Sequence, residues 1–207
     1  MAETKTKNTL NEQYSYCYED RFNFEDLEGR RIYLNCEIDE NVMDSAVYHI
    51  LRFNRLDKGI PVEARKPIIL YINSPGGNVI DGYGLIDVIR ESKTPVYTVN
   101  LAFAASMGFL IFIAGHKRYS LPRAEFLLHD GSTGDIGSML KVKDRIDFEV
   151  NQVAEMTKQY VLDRTSIDEA TYNEKLRVEW YFLPEEGKKI GAVDYIVGKD
   201  CSIDEIV

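Results

Sequence analysis

The chain has 207 residues, 44% hydrophobic and 29% charged, which is enough apolar side chain for one packed core and excludes a disordered chain. Its formal net charge of −9 argues against nucleic acid as a partner, because phosphate binding needs concentrated positive charge. Basic runs go no further than pairs such as Arg30-Arg31 and Lys188-Lys189.

In chain order, residues 1–20 read as a flexible, polar N-terminal segment, with the aromatic cluster Tyr14-Ser-Tyr-Cys-Tyr18 as a packing tether or a recognition surface. Residues 21–207 read as a single domain. Arg31-Ile-Tyr-Leu-Asn35 predicts a short strand. From Asp39, the apolar stripe Met43, Ala46, Val47, Ile50, Leu51 and Asn54 predicts a helix, with Asp39 or Asp44 as caps. Asp57 to Lys66 predicts a loop. The unbroken run Pro67-Ile-Ile-Leu-Tyr-Ile72 predicts a strand buried on both faces, as in a parallel sheet. Ser74-Pro-Gly-Gly77 ends it, and Ile80, Tyr83, Leu85, Ile86 and Ile89 mark one face of the helix that follows. Pro95 to Asn100 predicts another buried strand, Ala102–Ser106 a small-residue turn, and the residues up to Gly115 an apolar helix. Leu101 to Gly115 is shorter than the roughly 18 residues of a membrane span. Two short strands, Arg118–Leu121 and Glu125–His129, precede a glycine-rich loop, Gly131 to Gly137. A long helix spans Ser138 to Arg164, with Met139, Val142, Ile146, Val150, Val153, Thr157 and Tyr160 on one stripe. Pro184 starts a short helix that Gly191 ends, and Val193–Val197 is a last strand. Strands alternating with helices give an α/β fold.

Two strand-to-helix junctions carry the chemistry. In Tyr71-Ile-Asn-Ser-Pro-Gly-Gly-Asn-Val79, adjacent glycines allow unusual backbone angles and close approach, and free amides at the next helix start can hold an anion. A plain strand-ending turn explains the same residues. In Ala102-Phe-Ala-Ala-Ser-Met-Gly108, Ser106 is either an exposed nucleophile supported by the helix N-terminus or an N-cap. Ala104 stands where a G-x-S-x-G elbow has its first glycine. Of the three histidines, His49 reads as a surface or packing residue and His116 as a helix C-terminal cap. His129, at a strand end beside a glycine-rich loop, is the best general base.

Tyr71-Ile-Asn-Ser-Pro-Gly-Gly77, Ala104-Ala-Ser-Met-Gly108, Ala114-Gly115 with Leu121-Pro122, and the strand ending in His129 occur in that order. From about Arg30 to Val197 the chain resembles the Clp protease (ClpP) family of serine peptidases. The resemblance implies a crotonase-like fold of repeated β-β-α units with a protruding handle helix. It implies Ser106 as nucleophile, His129 as base, and the Gly77 and Met107 amides as oxyanion hole. Substrate would lie as an added β-strand along the strand after Gly77 and the segment after His129, at Gly76, Asn78, Val79, Asp130 and Gly131. The third triad member matches Glu179, where the family has Asp; Asp130, Asp163 and Asp168 are rivals. Asp130-Gly131 replaces the usual Gln-Pro and Val178 the usual Arg, which fits a divergent or phage-like member.

The resemblance further implies self-assembly into two stacked seven-membered rings, a tetradecamer, and an AAA+ unfoldase partner that feeds polypeptide substrates. No P-loop is present in the sequence, so ATP is expected to be used only by the partner, and no cofactor by this chain. No metal motif such as H-E-x-x-H appears. Three scattered cysteines, Cys17, Cys36 and Cys201, without a C-x-x-C pair fit reduced thiols in the cytoplasm. Two other functions stay open: a catalytically weak or inactive regulatory subunit, and a crotonase-like acyl-CoA enzyme.

Overall fold

A computed structural model describes residues 25–132, 134 and 136–207. The expectation for residues 1–20 lies outside them.

Among the described residues seven strands form one sheet: β1 (Arg31–Leu34), β2 (Ile68–Ser74), β3 (Val96–Ala105), β4 (Lys117–Ser120), β5 (Glu125–Leu128), β6 (Trp180–Phe182) and β7 (Tyr195–Ile196). The order is β1-β2-β3-β4-β7, with β5 on β3 and β6 on β5. All pairs are parallel except β5–β6. The apolar run of β2 is explained by two covered faces: Ile68, Leu70 and Ile72 enter the main core, whereas Ile69 and Tyr71 join Val99, Tyr119 and Ile206 on the other side.

The turn expected at Ala102–Ser106 is instead strand. β3 runs on to Ala105 and changes partner on the way, pairing Tyr97–Asn100 with β4 and Phe103–Ala105 with β5. Its small residues allow close approach to β2, whose register shifts between Ile72 and Ser74.

The helices are α1 (Tyr48–Leu56), α2 (Val79–Glu91), α3 (Met107–Ala114), α4 (Met139–Phe148), α5 (Ala154–Arg164), α6 (Glu169–Leu176) and α7 (Pro184–Lys189). A wide turn of five residues, Met43–Val47, precedes α1. That turn rotates the buried face onto Ala46, Ile50 and Phe53, leaving Leu51 exposed, contrary to the expected stripe. Asp39 makes an Asx turn, its carboxylate accepting from Asn41 N–H, and caps no helix directly. In α2 the buried face is Leu85, Ile86 and Ile89, and Ile80 is exposed. Every residue of α3 is buried, as an all-round apolar helix requires.

The predicted helix over 138–164 is one continuous rod with a second wide turn at Glu149–Val153. Only Tyr160 and Val161 of it are buried. Met139, Leu140, Ile146, Phe148 and Val150 are exposed, so the helix is not packed wholly within the subunit.

One buried ion pair ties the start of β1 to the loop after α1. Arg30, at φ 62°, donates two hydrogen bonds to Asp57, each 2.6 Å. The Asp57 side chain is 2% exposed and also accepts from Thr94 Oγ1 at 2.8 Å. The Arg30 bond, followed by that of Thr94, holds the Asp57 carboxyl below the usual carboxylate range. A depressed native pKa stabilises the fold above the unfolded value of about 3.9 and is lost as pH falls through the native value. Asp57→Asn is therefore expected to lower stability by about 3 kcal/mol at neutral pH. Urea unfolding as a function of pH checks this: the gap between the two chains should close below about pH 4.

Candidate active site

Ser106 ends β3 and begins α3. Its backbone sits at φ 54°, ψ −123°, a region that costs a residue with a side chain about 1–3 kcal/mol. The neighbours fix that angle. Ser106 N–H donates to Leu127 O of β5 at 2.9 Å, and Ser106 O accepts from Phe109 and Leu110. The residue stands at the N-cap position, yet its hydroxyl makes no capping bond. The Oγ thus projects from a sharp strand-to-helix turn without being used by the backbone.

The first glycine junction packs directly on this turn. Gly76 (φ 98°) is so close that a Cβ there would lie 2.6 Å from Ser106 Cβ, 2.8 Å from Ala105 O and 3.0 Å from Met107 N. A Cβ on Gly108 would lie 3.0 Å from Ser74 O. The two sequence motifs therefore meet in space, backbone on backbone.

Amide directions follow from the hydrogen bonds. Gly77 (φ 144°) bridges in parallel to Ile38, with Ile38 N–H donating to Gly76 O and Asn78 N–H donating to Ile38 O. In such a bridge the N–H of Gly77 itself faces away from Ile38. Met107 is the first residue of α3, where an amide has no partner within the helix. Among the described residues neither the Gly77 nor the Met107 amide donates a hydrogen bond.

The strand expected after Gly77 does not form. Asn78 Oδ1 accepts from Ile80 N–H and Asp81 N–H, at 2.8 and 3.1 Å, and so starts α2 at Val79. Asn78 thereby spends its side chain on capping, while Val79 and Ile80 of the first turn stay exposed beside the junction.

His129 follows β5, the strand adjacent to the end of β3. Ala105 pairs with Leu127, so Ser106 and His129 follow the C-terminal ends of two neighbouring parallel strands, at the same edge of the sheet. His129 Nε2 is buried and has no hydrogen-bond partner among the described residues. Asp130 and Gly131, next in the chain, are exposed; Asp130 N–H donates to Leu176 O, and Gly131 has φ 45°.

The other two histidines are elsewhere. His49, on α1, is half-buried, and burial followed by Arg52 pulls its pKa down. His116 does not cap α3 as expected. Its Nδ1 lies 3.1 Å from Val96 N, and burial, the largest cause, depresses its pKa. The cap is Arg164, hidden in the sequence because it lies some 50 residues away. Its Nε and Nη2 donate to Ile113 O and Gly115 O, both at 2.8 Å.

Glu179 precedes β6. The β5–β6 register sets Leu127 opposite Tyr181 and Leu128 opposite Trp180, so His129 leaves the end of β5 where Glu179 enters β6, and beyond them Asp130 N–H donates to Leu176 O. The exposed Glu179 carboxylate accepts from Tyr181 Oη at 3.2 Å. Among the described residues no hydrogen bond joins it to His129. Of its rivals, Asp168 accepts from Thr171 N–H at the start of α6, and Asp163 is exposed on α5. No group of three or more His, Cys, Asp or Glu side chains among the described residues could hold a metal ion.

The close approach makes Gly76 a sensitive position. Gly76→Ala is expected to cost about 2–4 kcal/mol. The control is Gly59→Ala, also at positive φ but with nothing within 4 Å of its Cβ, which should cost about 1 kcal/mol. Equilibrium urea unfolding of both variants separates the clash from the backbone strain.

A comparison with known families bears on the whole arrangement. The sequence model of the Clp protease family matches residues 20–200, a span that includes both junctions, His129 and Glu179. The chain belongs to the Clp protease family.

Proposed function

We propose that this protein is a serine endopeptidase subunit that cleaves polypeptides through an acyl-enzyme on Ser106. The observation that carries the reading is the strained turn of Ser106, its hydroxyl unused, at the end of the strand that pairs with β5, after which His129 presents a buried and unpartnered Nε2. His129 Nε2 takes the Ser106 proton as Oγ attacks the peptide carbonyl, then returns it to the leaving amine. The carbonyl oxygen, now negative, sits between the Gly77 and Met107 amides; losing one such donor typically costs about 10²–10³ in rate. Water then attacks the ester, with His129 again as base. Glu179, at the start of the strand that pairs with β5, is the carboxylate that steadies the imidazolium. The open side of the Gly76–Asn78 backbone and the Asp130–Gly131 segment flank the cleft, and they are the places for an extended substrate.

Assembly belongs to the same reading. The apolar residues Met139, Leu140, Ile146 and Val150 stand out on a helix that the subunit does not cover, a pattern that marks an interaction surface. In the proposed assembly, copies of this chain bury α4 between two stacked seven-membered rings, with the sites facing inward. A Clp-type AAA+ ATPase in the cytoplasm unfolds substrates and supplies all ATP chemistry. Among the described residues no helix is long and apolar enough to cross a membrane.

A fluorophosphonate probe with peptide mapping tests the chemistry: the adduct is expected on Ser106 and to vanish in His129→Gln. Ser106→Ala should reduce cleavage of a fluorogenic peptide by about 10⁴-fold or more. Failure of Ser106 to label in the assembled protein would falsify the reading. For the assembly, sedimentation of Leu140→Asp/Ile146→Asp is expected to show smaller species with unchanged far-ultraviolet circular dichroism. A full-sized complex in that variant would remove α4 from the interface.

A further inference from the structure

Tyr181 is the one side chain that touches Glu179 by hydrogen bond among the described residues, and the mechanism above does not use it. The two residues are separated by one position around β6, so they stand on the same face. Across the pair, Leu127 opposes Tyr181 and Leu128 opposes Trp180, so His129 leaves β5 next to the strand end where Glu179 stands.

The contact has a physical purpose at this position. A glutamate has one more rotatable bond than an aspartate and more rotamer freedom to lose. On an exposed strand end its carboxylate samples several directions, and only some of them face the histidine. A phenol has two side-chain torsions and a rigid ring. Here the ring rises from a backbone pinned in the β5–β6 ladder. Its hydroxyl donates to Glu179 Oε2, and that bond is the first cause raising the Tyr181 pKa, ahead of burial and the charges of Glu179 and Glu125. The other carboxylate oxygen, Oε1, has no partner among the described residues.

We propose that Tyr181 is a positioning residue: by occupying Glu179 Oε2 it confines the carboxylate to the side of the strand end from which Oε1 can accept the His129 ring N–H. This rests on the reading of Ser106, His129 and Glu179 given above. The phenol touches neither substrate nor reacting atoms, and it acts wholly through the carboxylate. The long glutamate and the tyrosine two residues on thus work as a pair, the second restoring the definition that the extra methylene removes.

The test is Tyr181→Phe in the full-length assembled protein, which keeps the ring and removes one oxygen. The kcat for a short fluorogenic peptide is expected to fall by about three- to tenfold, the worth of one hydrogen bond, with KM unchanged. In a Glu179→Gln background the same change should cost nothing further. An unchanged kcat, an equal loss in the Glu179→Gln background, or a rise in kcat each overturns the proposal; a rise would mean that the phenol withholds the carboxylate. A second measurement does not need turnover. In Ser106→Ala protein carrying labelled histidine, the His129 pKa read by NMR should fall when Tyr181→Phe is added, because a held carboxylate stabilises the imidazolium. Asp130, the neighbouring acid in the chain, is the same in both. Equal His129 pKa values sink the positioning role, whereas a wild-type chain that fails to label at Ser106 sinks the peptidase reading instead.

Discussion

The structure depends on one approach of backbone to backbone: the Ser74–Gly77 turn lying against Ser106–Gly108. A side chain at Gly76 would enter Ser106 itself, and one at Gly108 would press on Ser74 O. This contact sets the end of β2, holds Ser106 at a positive φ, and brings two otherwise unrelated amides to one cleft. The change of partner along β3 serves the same end. By leaving β4 for β5, the strand delivers Ser106 beside the segment that carries His129.

Much of this is legible in the sequence where the chemistry is local. The apolar run of β2, the double glycine after it, the all-apolar α3 and the Pro184 helix start each have a short-range cause, and each reads directly from the residues. Ser106 and His129 stand out because each ends a strand. The small residues Ala102, Ala104 and Ala105 mislead, since close packing and turning both favour small side chains. Only the tertiary contact with β2 and β5 makes them strand. Periodicity places Ile80 on a buried face, yet the Asn78 cap starts the helix where its first turn hangs over the cleft. Glu179 can be picked only by likeness, because its place at the end of the β5–β6 pair depends on pairing two segments about 50 residues apart. The cap of α3 is hidden for the same reason.

The histidines illustrate how context divides one residue type. His116 has its Nδ1 against the Val96 amide, and partial desolvation, with the charge of Arg164, pulls its pKa down. His49 is half-buried beside Arg52. His129 alone stands at the open end of parallel strands, where ligands of α/β sheets are commonly met. The long helix shows the same division along one element: its C-terminal turns bury Tyr160 and Val161, while its N-terminal turns carry apolar side chains into solvent.

The guanidinium of Arg164 has a consequence for how the molecule opens. It joins the end of α3 to the end of α5, and Arg164 O in turn accepts from Arg118, which pairs with Asp194 before β7. Helix α3 is thus clamped at one end by this network and at the other by the Ser106 turn, with no exposed residue between. A helix enclosed on all sides opens to solvent together with the core around it rather than by fraying on its own. The serine stands at the head of the helix that the fold encloses most completely.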